Sequence, residues 1–255
     1  MTGAPVVDLN ADLGESFGAW RIGDDAALLS VITSANIACG FHGGDPLTIR
    51  TACGGAAAHQ VAVGAQVSYR DLPGFGRREM EVPADELAAE VLYQIAALDG
   101  IARAEGTRVR YVKPHGALYH RAARDPVQAA ALIAAIRAYD PSLPLLLLPG
   151  SSGAAAAAAA GLTVIGEAFA DRGYRSDGTL VPRGERGAVL SDPGAVAARA
   201  VRMVTRGRVE SVEGQQVTIS ARSVCIHSDT PGAVALARSV RAALERASVQ
   251  LAPFA

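Results

Sequence analysis

Cysteine is sparse in this chain, and the residues present do not make a disulfide framework: Cys39, Cys53 and Cys225 are odd in number and widely spaced. They read as reduced thiols in a cytosolic protein. No apolar run approaches the roughly 20 residues that a membrane helix needs. Residues 1–5 carry neither a basic stretch nor an apolar core, so a secretory signal is not expected. Charge of one sign is lacking too: the net charge is −1 with acids and bases interspersed, which argues against a nucleic-acid or membrane partner. Three catalytic signatures are missing: the G-x-x-x-x-G-K-[ST] phosphate loop, the G-x-S-x-G elbow and the H-E-x-x-H zinc pair. Lysine is scarce while arginine and alanine abound, a bias of base composition more than of function.

What is present is enough for a core. Half of the 255 residues are hydrophobic and 19% are charged, which suits one large α/β domain or two small ones; residues 1–255 read as one. Short apolar segments alternate with helix-length ones. Predicted strands cover 5–9, 34–39, 61–66, 109–112, 143–148, 162–169 and 224–227. Start signals mark the helices: Asp24 or Asp25 opens 24–32, Asp45-Pro46 opens a helix reaching His59, and Asp125-Pro126 opens a third. After Pro83, the spacing of Leu87, Val91, Ile95, Leu98 and Ile101 describes one buried stripe. An alanine run to Ala160, residues 193–206 and residues 233–244 supply further helices, and 209–220 alternates around Gly214 as a small hairpin.

Seven strand–helix pairs in alternation predict a parallel sheet with right-handed crossovers. A doubly wound open sheet and a closed (β/α) barrel both satisfy that pattern. The polar residues favour the barrel. Asp12, His42, Tyr69, His115, Asp171 and His227 all fall at or just after strand C-termini. A barrel gathers all such ends at one mouth, whereas an open sheet gathers only those near its switch point.

Lys113-Pro114-His115-Gly116 is the most unusual of these endings. Pro114 has no N–H for a ladder, and Gly116 permits a turn that most residues resist. An i, i+2 pair in an extended segment shares one face, and a cation there favours a neutral imidazole. His59 reads as a helix C-terminal residue, and His120, one turn into a helix, packs at least as well as it catalyses. Each of His42, His115 and His227 alone is compatible with a satisfied buried histidine; together, beside glycines and other polar groups, they suggest a site.

Two chemistries stay open. In one, Asp12 with two of the histidines, His42 and His115, holds a divalent ion that activates water. In the other, Asp12, Glu15 or a histidine moves protons while Lys113, Arg172 or Arg183 stabilises negative charge. Structural ion pairs among Lys113, Asp12 and Asp171 compete with both. The loop Gly74-Phe-Gly-Arg-Arg78 suits an anionic ligand or a solvated lid, and Cys39 and Cys225 read as small buried strand residues.

Five segments, in order, carry a family likeness: Asp8-Leu-Asn-Ala-Asp-Leu-Gly-Glu15, Ser34-Ala-Asn-Ile-Ala-Cys-Gly-Phe-His-Gly-Gly-Asp45, Val112-Lys-Pro-His-Gly-Ala-Leu-Tyr119, Glu167-Ala-Phe-Ala-Asp-Arg-Gly-Tyr174 with Leu180-Val-Pro-Arg183, and Val224-Cys-Ile-His227. With them the chain resembles the LamB/YcsF family, whose characterised activity is that of the A component of an ATP-hydrolysing bacterial 5-oxoprolinase. The resemblance implies a barrel-like fold related to sugar hydrolases and deacetylases. It implies ring opening of 5-oxo-L-proline to L-glutamate, with ATP consumed in a complex with B and C subunits. Asp12 and His115 are then expected to move protons, with Lys113 and Arg172 stabilising negative charge. Asn10, Glu15, His42, Tyr69, Asp171, Arg183 and His227 are expected to contact the lactam. A non-catalytic subunit and a stand-alone metal-dependent hydrolase are the competing expectations, and the oligomeric state, homo-oligomer included, stays open. One position departs from the family: Gln66 stands where Gly-Ala-His-Pro-Ser is common.

Overall fold

Side chains alternate across a strand, so a buried strand with polar residues at every second position must wrap those residues around something. In the computed structural model, which describes residues 4–255, they wrap around each other. Of the amino-terminal segment read for a secretory signal, residues 1–3 lie outside the described residues.

The barrel strands are β1 (Val6–Leu13), β2 (Ser34–Ala38), β3 (Ala62–Val67), β4 (Val109–Pro114), β5 (Leu145–Leu147) and β6 (Val164–Phe169), closed by β9 (Ser223–Ile226). All are parallel, and β9 pairs with both β6 and β1, which shuts the barrel. The hairpin β7 (Arg208–Glu210) and β8 (Gln216–Thr218) lies outside it, and β10 (Gln250–Leu251) adds to the start of β1. Around the strands run α1 (Asp25–Leu29), α2 (Pro46–His59), α3 (Ala84–Ala104), α4 (Gly116–Arg124), α5 (Pro126–Tyr139), α6 (Ser152–Ala159), α7 (Pro193–Arg206) and α8 (Ala233–Arg246). The predicted barrel is therefore the observed one.

The start signals work as read. Asp45 accepts from the amides of Leu47 and Thr48, and Asp125 from those of Val127 and Gln128, each with proline in the first helical turn. Apolar residues such as Val7, Leu9, Ala11 and Leu13 join the buried core. The intervening Asp8, Asn10 and Asp12 join a polar network with Asn36, Lys113, Glu167 and Ser223. Gly64 belongs to the same logic: a Cβ there would lie 2.1 Å from the Tyr111 ring, so only glycine lets that ring lie against β3.

Boundaries differ where closure overrides local signals. The first strand, predicted over 5–9, runs on to Leu13, so Asn10 and Asp12 are strand residues and not part of a following loop. Their register with Ser34 and Asn36 of β2 extends the ladder through a polar stretch. Pro114 also lies within β4, because its neighbour Val67 needs only the next amide: His115 donates to the Val67 carbonyl at 2.7 Å.

Candidate active site

The strand C-termini open on a cavity of about 230 Å³ lined by Asp12, Lys113, His115, Phe169, Arg172 and His227, with Arg77, His120 and Arg183 further out. Lys113 is the only lysine in the chain. Its Nζ lies 2.8 Å from Glu167 Oε1 and 3.1 Å from Asp12 Oδ1, and it donates to Cys225 Sγ at 3.3 Å. Burial works against the ammonium, but Asp12, Cys225 and Glu167 outweigh it and hold its pKa well above the ordinary lysine value. Asp12 shows the reverse: burial raises its pKa, and Lys113, His227 and His115 pull it far below the usual carboxylate range. The ion pair anticipated between Lys113 and Asp12 is real. Asp171 is not part of it.

Asp171 instead holds His227. The His227 Nδ1 lies 3.0 Å from Asp171 Oδ1, and the carboxylate also accepts from Thr230 Oγ1 at 3.0 Å. Burial raises the pKa of Asp171, yet His227 more than offsets it and keeps the carboxyl ionised. Since a carboxylate only accepts, Nδ1 carries the proton in the neutral ring and Nε2 is left bare. Phe169 stacks on the ring at 5.4 Å between centroids.

His115 sits differently. Its Nε2 lies 2.9 Å from the Phe75 carbonyl and so donates, while its Nδ1 accepts from the Gln66 amide at 2.9 Å. It stacks on His42 with centroids 3.9 Å apart and planes 10° from parallel. Burial first, then His42, hold its pKa well below the ordinary imidazole value. The neutral ring expected beside Lys113 is thus found, but burial and His42 cause it. Glu15 completes this second layer, 3.4 Å from His42 Nε2 and accepting from Ser228 Oγ at 3.2 Å; burial, then Asp12, raise its pKa.

Two groups of ligand-type side chains occur among the described residues: Glu15, His42 and His115, and separately Asp12, Cys225 and His227. The metal set read from sequence is therefore corrected, because Asp12 lies in a different group from His42 and His115. In the second group the Lys113 ammonium already bonds to Asp12 and Cys225. The first suits a divalent ion better, since His42 Nδ1 is buried without a hydrogen-bond partner. Binding there requires the Gln66 amide to release His115 Nδ1.

Two expected contacts do not reach the cavity in the way anticipated. Tyr69 donates to Gln128 Oε1 at 2.7 Å on α5 and is fully buried, so it packs the barrel wall and does not line the cavity. Arg172 does line it, but its Nε and one Nη donate to the carbonyls of Ala188 and Val181 at 3.0 and 2.6 Å, which braces the 171–190 excursion. Asn10 lies deeper, donating to Ser223 Oγ at 2.6 Å and Glu167 Oε1 at 3.1 Å. Glu167, Asn36 and Phe169 were not singled out as site residues. A period-two polar pattern, Asp8-x-Asn10-x-Asp12, Ser34-x-Asn36 and Ser223-x-Cys225-x-His227, carries that signal for the interior. The cysteines are buried and free, as expected.

Comparison with known proteins agrees with this geometry. The sequence profile described as "LamB/YcsF family" matches residues 7–255. The A component of a 5-oxoprolinase from Streptomyces avermitilis is 59% identical over 98% of this chain and 100% of its own length. The crystal structure of a "Lactam Utilization Protein" from Thermus thermophilus is 49% identical and superposes with a TM-score of 0.93, covering 98% of this chain and 100% of that one. A "Family 4 carbohydrate esterase from Streptomyces lividans", 11% identical with a TM-score of 0.50 over 98% of this chain and 93% of the other, shares the barrel fold.

Proposed function

This chain belongs to the LamB/YcsF family, and on that footing we propose that it is the A component of an ATP-consuming 5-oxoprolinase, opening the lactam of 5-oxo-L-proline to L-glutamate with B and C partner subunits. A five-membered lactam is a stable amide. Phosphorylation of its oxygen, the step that would use ATP, makes the carbonyl carbon electrophilic. The absence of a phosphate loop from the sequence fits a division in which partners handle the nucleotide.

The observation that carries the reading is one cavity lined by an Asp171-oriented imidazole, a protonated lysine and an ionised aspartate. His227 Nε2 takes a proton from water as its oxygen bonds to the lactam carbon. Asp12 orients that water, and Lys113 stabilises the negative charge carried on the phosphorylated lactam oxygen. The carbon–nitrogen bond then breaks, His227 returns the proton to the departing nitrogen, and a second water cleaves the resulting acyl phosphate to glutamate and inorganic phosphate. Proton transfer thus passes from His115, whose two nitrogens are both engaged, to His227. Arg172 becomes a brace, with Asp171 as the group that positions the base. A divalent ion held by Glu15, His42 and His115 would supply a Lewis acid; no step above requires it.

Reconstitution with the partner subunits tests this. His227→Gln and Asp12→Asn are expected to lower glutamate formation by about 100-fold or more, within the range of general acid–base contributions, while Asp171→Asn lowers it less and shifts the pH–rate profile. Full activity of His227→Gln would refute the mechanism. Chelator-sensitive activity of the chain alone would favour a stand-alone metal hydrolase.

A further inference from the structure

The outer wall of the cavity is crowded with cations. Arg77, Arg172 and Arg183 all line it, beside His120. Burial, followed by the repulsion of Arg183, lowers the Arg172 pKa to about 10, and burial together with Arg172, Arg124 and Arg183 lowers that of His120 to about 4. Positive groups that disfavour one another around a cavity mark a place where an anion would be welcome. One carboxylate already answers two of them. Asp229 Oδ2 pairs with an Nη of Arg77, and Asp229 Oδ1 lies 3.6 Å from Arg183 Nη2.

These three residues come from three separate loops. Arg77 follows β3, and its guanidinium lies over the Phe75 ring at 5.1 Å. Arg183 lies in the excursion after β6, and Asp229 follows β9, two residues past the proposed base. A carboxylate shared by two guanidiniums is the arrangement such forks make with carboxylate ligands. All three side chains are partly exposed, with 34%, 20% and 25% of Arg77, Asp229 and Arg183 accessible, so a small molecule can reach the pair.

We propose that Arg77 and Arg183 form the subsite for the free carboxylate of the substrate, and that Asp229 occupies this subsite until substrate displaces it. The site would then discriminate a lactam acid from a neutral lactam, because only the acid can displace Asp229 without leaving two cations unpaired. The identity of the ligand rests on the lactam reading; the subsite itself does not.

Isothermal titration of the full chain with 5-oxo-L-proline, 2-pyrrolidinone (the same ring without the carboxylate), acetate and inorganic phosphate tests the proposal. 5-Oxo-L-proline is expected to bind at least tenfold more tightly than 2-pyrrolidinone, about 1.4 kcal/mol. Asp229→Asn keeps the shape and removes the competing charge, and should tighten the acid at least threefold. Arg183→Gln and Arg77→Gln should weaken the acid at least tenfold and leave 2-pyrrolidinone unchanged. Thermal melts check each fold, and Arg183→Lys, which keeps the charge without the fork, replaces a variant that fails to fold and should lose less than Gln. Weaker binding of the acid by Asp229→Asn overturns the proposal, as do equal losses for both lactams in an arginine variant. Tighter binding of phosphate than of any carboxylate, or no carboxylate binding at all, also overturns it. Acetate binding that Asp229→Asn tightens, with neither lactam bound, keeps the subsite and refutes the lactam reading.

Discussion

Single residues in this barrel are set by the company they keep in a closed polar interior. Asp8 shows the cost. It accepts from Thr33 and Ser34 at 2.6 Å each and from Ser223, yet burial still raises its pKa to about 6. A carboxyl raised in the folded state binds its proton more tightly there than in the unfolded chain. Its stabilisation is therefore complete below the unfolded value near 4 and is lost as pH rises through about 6. Asp8→Asn removes that dependence. Relative to wild type, the variant should gain on the order of 2 kcal/mol in urea stability between about pH 4 and pH 7.5. An unchanged difference across that range would show that Asp8 titrates normally. Nothing in the local sequence distinguishes Asp8 from Asp12 in this respect. They differ because Lys113 reaches Asp12, while hydroxyls surround Asp8.

Among the elements, the join between β4 and α4 is tightly constrained. Gly116 has φ +56, and a Cβ on it would lie 2.4 Å from the Gly76 carbonyl oxygen. That carbonyl also accepts from the Ala117 amide at 2.8 Å, so the loop after β3 is fastened directly onto the start of α4. Gly116→Ala combines an unfavourable backbone with a steric overlap. It should destabilise the fold by about 1–3 kcal/mol and displace Arg77, raising KM for the carboxylated substrate more than it lowers kcat. An unchanged KM would separate the loop from substrate binding. The turn at Gly116 was legible from its sequence neighbours, but the extension of the strand through Pro114 was not. Pro114 marks an ending by every local rule, and the ladder includes it because its missing N–H faces no acceptor that β3 requires.

The whole molecule is a closed ring of unequal seams. β2 and β3 are in register over five residue pairs, whereas β4 and β5 share one, Val112 with Leu145. Pro114 and Pro144 flank that short pairing. Local opening starts where backbone pairing is thinnest. Amides of β5 and of Gly150 and Ser151 in the loop that follows it should therefore exchange with deuterium faster than those of β2 and β3, as read by mass spectrometry. Uniform exchange around the ring would contradict this view of the barrel.

The order of elements, the helix start signals and the location of polar groups at strand ends follow from the sequence alone. Apolar period, N-cap chemistry and proline placement act over a few residues, and those residues are contiguous. What only the tertiary structure decided is which polar group meets which. The Lys113–Glu167 contact, the orientation of His227 by Asp171, the engagement of both His115 nitrogens and the withdrawal of Tyr69 beneath α5 join residues far apart in the chain. Those pairings depend on how seven strands tilt and stagger as they close, and strand stagger is a property of the closed sheet that no single segment encodes.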